Sequence, residues 1–166
     1  MQSHTDLLLS IVQILGIIFG AIWAWFGFRI ELPHKPRIEL ELDAVFLGPQ
    51  MGRYIGSISI RVHNKGTVNH TIEQLEIDIR GLKHNDPIQT LSEKEQRVNF
   101  PEKTAQSRNI IPSKYKHYFV RAGVQQTILY HTSIPEDIRF VRAWAAFRYS
   151  GADGKHTVER IFNITP

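Results

Sequence analysis

Two patterns of apolar residues divide the chain. From Leu7 to Phe28 the sequence LLLSIVQILGIIFGAIWAWFGF runs for 22 residues without a charge. As a helix rising 1.5 Å per residue it is about 33 Å long, enough to cross a hydrocarbon core of about 30 Å. From Arg37 onward the apolar residues recur at every second position instead, which is the period of a half-buried strand. In RIELELDAVF, Ile38, Leu40, Leu42 and Ala44 alternate with Arg37, Glu39, Glu41 and Asp43. In GSISIRVHN, Ile58, Ile60 and Val62 alternate with polar residues, and in IEQLEIDIRGL so do Leu75, Ile77 and Ile79.

The second half continues in the same way. Strands are predicted at Tyr115 to Arg121 and at about Gln126 to His131. Val141, Ala143, Ala145, Phe147 and Tyr149 share one face of a later strand, and Arg142, Trp144, Ala146 and Arg148 share the other. The loop formers Ser150-Gly151-Ala152-Asp153-Gly154 then return the chain as a strand over Thr157 to Ile164, which reads as a hairpin. Ile88 to Gln106 lacks periodicity and reads as a long loop with one short strand or turn near Val98. The alternation nominates Ile58, Ile60, Val62, Leu75, Ile77, Ile79, Val141, Ala145 and Phe147 as core.

These elements predict an all-β fold, an antiparallel β-sandwich or small barrel of seven to eight strands, preceded by one N-terminal transmembrane helix. Residues 1–28 are the anchor, with the span at about 7–28. Residues 29–36, RIELPHKP, form a short linker bracketed by Pro33 and Pro36, and residues 37–166 form the sandwich. The stretch VHNKGTVNHTIEQLEI, a strand, an Asn-x-Gly turn and a second strand, resembles the early hairpin of immunoglobulin-like sandwiches over about one sixth of the chain. The resemblance implies an immunoglobulin-like arrangement, and through it roles in adhesion or accessory binding.

Charge orients the anchor. All 20 Lys and Arg residues follow the span, with Arg29, Lys35 and Arg37 close behind it, whereas Asp6 is the one charge before it. The positive-inside rule therefore predicts an inner (plasma) membrane protein with its amino terminus outside and its carboxyl-terminal domain in the cytoplasm. The lack of basic residues before the span, and the bulky Trp23, Trp25, Phe26 and Phe28 at its end, predict an anchor that is not cleaved. Within the span Gln13, Gly16, Gly20 and Ala24 recur at steps of three and four, on one helix face. Small residues let helix backbones approach closely, so this face predicts a homo-oligomer.

Composition narrows the chemistry. With no Cys, disulfides, thiolate metal sites and thiol nucleophiles are excluded. The eight His residues follow neither H-x-H nor H-E-x-x-H spacing, and no phosphate loop, dinucleotide fingerprint or nucleophile elbow is present. No metal, no cofactor and no catalytic residue is predicted, and the chain reads as a non-enzyme. Glu39/Glu41/Asp43 and Glu76/Asp78 alternate with apolar residues, which reads as solvated strand faces.

One cluster stands apart. Between Arg97 and Arg121 lie six cations and one carboxylate, Glu102, interleaved with Phe100, Tyr115, Tyr118 and Phe119. Arg108, Lys114, Lys116 and Arg121, joined by Arg142 and Arg148 flanking Trp144, are the candidate anion-binding surface. The partners it predicts are membrane lipids, a nucleotide or an acidic protein, and not double-stranded nucleic acid. The functional expectation is thus a membrane-anchored interaction or sensing module. The alternative is a small effector whose basic domain binds an anionic signal such as a cyclic oligonucleotide and which perturbs the bilayer by oligomerising. That layout resembles the membrane effectors of bacterial antiviral defence.

Overall fold

A computed structural model describes residues 2–31, 37–91, 97–115, 118–150 and 155–164. The chain divides into two compact units, Met1–Pro36 and Arg37–Pro166. The first contains helix α1 (Gln2–Glu31). No proline interrupts it, and Pro33 stands just beyond its end, where a ring without an N–H cannot continue the ladder. Its stretch Leu8–Gly27 is long and apolar enough to cross a membrane, and none of it is buried within the chain.

The second unit contains eight strands among the described residues: β1 (Ile38–Gln50), β2 (Arg53–Asn64), β3 (His70–Lys83), β4 (Glu102–Ser107), β5 (Tyr118–Val120), β6 (Gln125–Pro135), β7 (Ile138–Tyr149) and β8 (Lys155–Asn163). They form two antiparallel sheets. One has the order β1-β2-β6; the other has the order β4-β3-β7-β8, with β5 also paired to β3. Alternation puts one face of each sheet inward. Leu42, Ile58, Ile60 and Val62 of the first sheet join Leu75, Ile77, Ile79, Val141, Ala143, Ala145 and Phe147 of the second in a single core. All nine residues nominated as core are at most 1% exposed. Burying a large aliphatic or aromatic side chain this fully contributes about 1.5–3 kcal/mol relative to leaving it in water. The fold is therefore a β-sandwich, and the β7–β8 hairpin closes as expected, with Phe147 opposite His156.

Four local expectations are corrected. The irregular stretch contains β4, paired to β3 from Ile77↔Ser107 to Gly81↔Glu102. Its sequence EKTAQS hides this, because an edge strand with little buried surface needs no alternation. The short strand or turn expected near Val98 is present as an isolated bridge, Thr90↔Val98. β5 is only three residues long and leaves Tyr115 outside it, whereas β6 runs on to Pro135 and delivers the fully buried Ile134.

The fourth correction concerns VHNKGTVNHTIEQLEI, which does not form a hairpin. Its two strands, β2 and β3, belong to different sheets. Asn64 is the reason. Fully buried, it donates from Nδ2 to the carbonyls of Val68 (2.8 Å) and Val120 (3.1 Å), and its Oδ1 accepts from Gly66 N–H (3.0 Å). Its own N–H donates to Val124 O (3.1 Å), and its own carbonyl accepts from Gly123 N–H (2.8 Å). A satisfied buried amide of this kind is strongly specifying, and here it carries the chain across the sandwich.

Candidate functional site

The sandwich has a cavity of about 370 Å³ beside the start of β3. Four separate stretches build it: Thr71, Ile72 and Glu73 from β3, Asn109, Ile111, Pro112, Ser113 and Tyr115 from the β4–β5 connection, Tyr118 from β5 and Ser150 after β7. Asn109 shapes the connecting segment. Its Oδ1 accepts from the N–H of Leu75 (3.2 Å) and Ile111 (3.1 Å), and Ile110 N–H donates to Leu75 O (2.9 Å). The segment is thereby fastened to β3 while Ser113 and Tyr115 turn to the cavity.

The lining is rich in hydroxyls, from Thr71, Ser113, Ser150 and the two tyrosines. Tyr115 and Tyr118 meet edge to face, 6.5 Å between centroids. Burial, then the neighbouring Tyr115, pushes the Tyr118 phenol above its ordinary range, so it stays a neutral donor at physiological pH. The Lys114 ammonium lies 5.0 Å from the centre of the Tyr115 ring. The cavity thus offers neutral hydrogen-bond donors and acceptors and an aromatic corner, together with one carboxylate, Glu73, and the Lys114 ammonium lies against its Tyr115.

The six cations of the predicted anion surface do not all converge. Arg108 and Lys114 are exposed and lie at either end of the segment that walls the cavity. Arg148 joins them by register. It is exposed and opposite Gln74, whose side chain donates to the Arg108 carbonyl (2.9 Å). Lys116 lies outside the described residues. Arg121 is exposed just after β5, its guanidinium 5.7 Å from the Phe119 ring centre. Arg142 stands apart, six residues along β7 from Arg148, about 20 Å at strand spacing. It pairs with Asp78 (3.2 Å), is largely buried and lies 5.9 Å from the Phe100 ring centre.

Trp144 is not sandwiched between Arg142 and Arg148. Lys155 on β8 covers its ring at 4.7 Å and also pairs with Glu76 at 2.8 Å. The acidic strand faces divide likewise. Glu39 and Glu41 are exposed and paired with Lys65 (2.5 Å) and Arg61 (3.0 Å), as a solvated face requires. Asp78, read as solvated, is buried between Arg80 (3.0 Å) and Arg142. Among the described residues no group of three His, Cys, Asp or Glu could hold a metal ion.

A second cavity, about 380 Å³, opens at the far end of the sandwich beside Tyr54, His84, Glu136 and Arg139. Among the described residues, none of the six cations is a lining residue of either cavity. No sequence signal marks either cavity, since each is assembled from stretches far apart in the chain.

No protein-family model matches the chain, and no curated protein matches it. Among solved structures, it is similar to the X-ray structure of the structural-genomics target SoR45, at 12% identity and a TM-score of 0.47, covering 75% of this chain and 83% of the other. It is also similar to the putative ApaA protein from Bordetella pertussis, at 11% identity and a TM-score of 0.48, over 78% of this chain and 94% of that one. A protein from Archaeoglobus fulgidus matches at 10% identity and a TM-score of 0.36, over 77% and 99%.

Proposed function

We propose that this chain is a single-pass, membrane-anchored β-sandwich that works by binding rather than catalysis, holding its domain at the cytoplasmic face of the inner membrane. The observation that carries the reading is the state of the helix. Leu8–Gly27 is uncharged and none of it is buried in the chain, so its apolar surface needs an apolar medium from elsewhere. Self-association in that medium follows from the stripe of Gln13, Gly16, Gly20 and Ala24. A methyl group added at Gly16 or Gly20 meets nothing of this chain, which leaves that face free for a second helix.

The binding surface in this reading is the hydroxyl-lined cavity together with the exposed Arg108, Lys114 and Arg148, which neighbour its lining residues in sequence or in strand register. Cations in exposed positions attract an anionic group, and the neutral donors and the Tyr115–Tyr118 corner suit a polar or planar body attached to it. The test uses the full chain in lipid nanodiscs and a fluorescent adenine nucleotide as the anionic planar probe. Binding is expected, weakening as salt rises because exposed charges are screened beyond about 8 Å at physiological ionic strength. Arg108→Glu/Lys114→Glu should abolish it. Equal binding by the double variant would remove these cations from the reading.

A further inference from the structure

The end of the sandwich around Asn64 has a composition that the cavity does not explain. The hydrogen bonds of Asn64 gather residues 64–69 and 120–124 into one surface, and Lys65 N–H donates to Arg37 O (2.7 Å), which fixes that surface beside the first residue of the domain. Val68 (41% exposed), Phe119 (43%) and Val124 (38%) stand out from it. Arg121 lies over Phe119, and Ala122 N–H is held by Asn69 Oδ1 (3.0 Å). Apolar side chains beside a guanidinium suit a lipid headgroup layer, where the apolar part enters and the cation meets phosphate.

We infer that this end of the domain lies on the bilayer that the helix crosses, with Val68, Phe119 and Val124 in the interfacial layer and Arg121 on lipid phosphate. The inference rests on the spanning reading of α1. Chain length selects this end. Only residues 32–36 separate Glu31 from Arg37, and six extended steps reach at most about 22 Å. β1 carries the chain away from Arg37 for 13 residues, about 43 Å, to Met51. Turning Met51 to the membrane would lift Arg37 beyond the reach of its tether.

The absence of cysteine makes the test direct, because each single-Cys variant takes one label. Val68→Cys, Val124→Cys and Met51→Cys are each labelled with an environment-sensitive fluorophore in the full chain. They are reconstituted into phosphatidylcholine vesicles with and without phosphatidylserine. A fourth variant, Ile17→Cys, reports on the span. Labels at 68 and 124 are expected to shift to the blue and to be quenched by headgroup-proximal spin-labelled lipid. The label at 51, where Met51 is 95% exposed, should not respond. Arg121→Glu should reduce quenching at 124 most in the anionic vesicles. A quenched label at 17 with labels at 68 and 124 no different from 51 would overturn the inference and leave the span standing. An unquenched label at 17 would overturn the spanning reading and this inference with it.

Discussion

Asp78 and Arg142 meet diagonally across β3 and β7 at 3.2 Å, Asp78 standing opposite Trp144 and Arg142 opposite Arg80, on the side of the sheet turned away from the core. Asp78 also receives Arg80 at 3.0 Å, so one buried carboxylate serves two guanidinium groups. Among the described residues, Asp78 Oδ1 and Arg142 Nε are buried without a hydrogen-bond partner. Arg142 is therefore bound to the framework, and the proposed anion site rests on Arg108, Lys114 and Arg148.

Removing one member of such a pair leaves the other charge buried, which costs more than the pair contributes. Asp78→Ala should destabilise the domain by about 3 kcal/mol, near the lower end for buried pairs. Arg148→Ala, at an exposed position, should stay within about 0.5 kcal/mol. Urea unfolding followed by Trp144 fluorescence in chains lacking the other two tryptophans (Trp23→Phe/Trp25→Phe) measures both. Equal effects would mean that Asp78 is solvated after all.

Asn64 supports a second prediction. Asn64→Asp keeps the size and the acceptor for Gly66 N–H but loses the donor to Val68 O and Val120 O. The buried Val120 carbonyl then loses this partner, at about 1–3 kcal/mol, and the part-buried Val68 carbonyl loses it at a smaller cost. The variant should unfold at clearly lower denaturant, with exchange of amides 64–69 and 120–124 accelerated first. Unchanged exchange in those segments would show that the backbone bonds alone hold the crossing.

Comparison of the two strands around Asn64 shows what the sequence can tell. Ile58, Ile60, Val62, Leu75, Ile77 and Ile79 are legible because strict alternation reports which face of a strand is dry, whatever its partner. Which strands pair is not written in that alternation. The Asn-x-Gly turn reads the same whether the chain returns in its own sheet or crosses to the other, and only the buried contacts of Asn64 decide. β4 was hidden for the opposite reason, since an edge strand with little dry surface shows no alternation. The cations at 108 and 114 were visible as a cluster in the sequence. The hydroxyl lining of the cavity was not, because Thr71, Ser113, Tyr118 and Ser150 come together only through the fold.

His70 gives the stability a pH dependence. Its ring lies 5.4 Å from that of Tyr149, which in turn lies 5.6 Å from His156. Burial first, and the charge of His156 second, hold the His70 imidazole below its ordinary value of 6.5. The unfolded chain then binds the proton more tightly than the folded one. Stability from this group is complete above about pH 6.5 and is lost as pH falls through the lowered folded value. Thermal unfolding between neutral and mildly acidic pH should show the loss in the native chain and a smaller loss in His70→Phe. Parallel curves would assign the dependence to other groups.

The stripe in the span predicts the effect of bulk. Gly16→Ile/Gly20→Ile should lower the cross-linked oligomer fraction in membranes by keeping helix backbones apart, while Ile18→Leu, on another face, should not. Equal cross-linking in all three chains would leave the small residues without a role in assembly.

The most direct measurement of the central claim, a helix that crosses the membrane and leaves the sandwich inside the cell, is a pair of reporters fused after Pro166. One fluoresces only when folded in the cytoplasm, and the other is an enzyme active only outside it. The account predicts a membrane-bound, fluorescent first fusion that resists alkaline extraction and an inactive second one. An active second fusion, or a first fusion released to the soluble fraction, would contradict it.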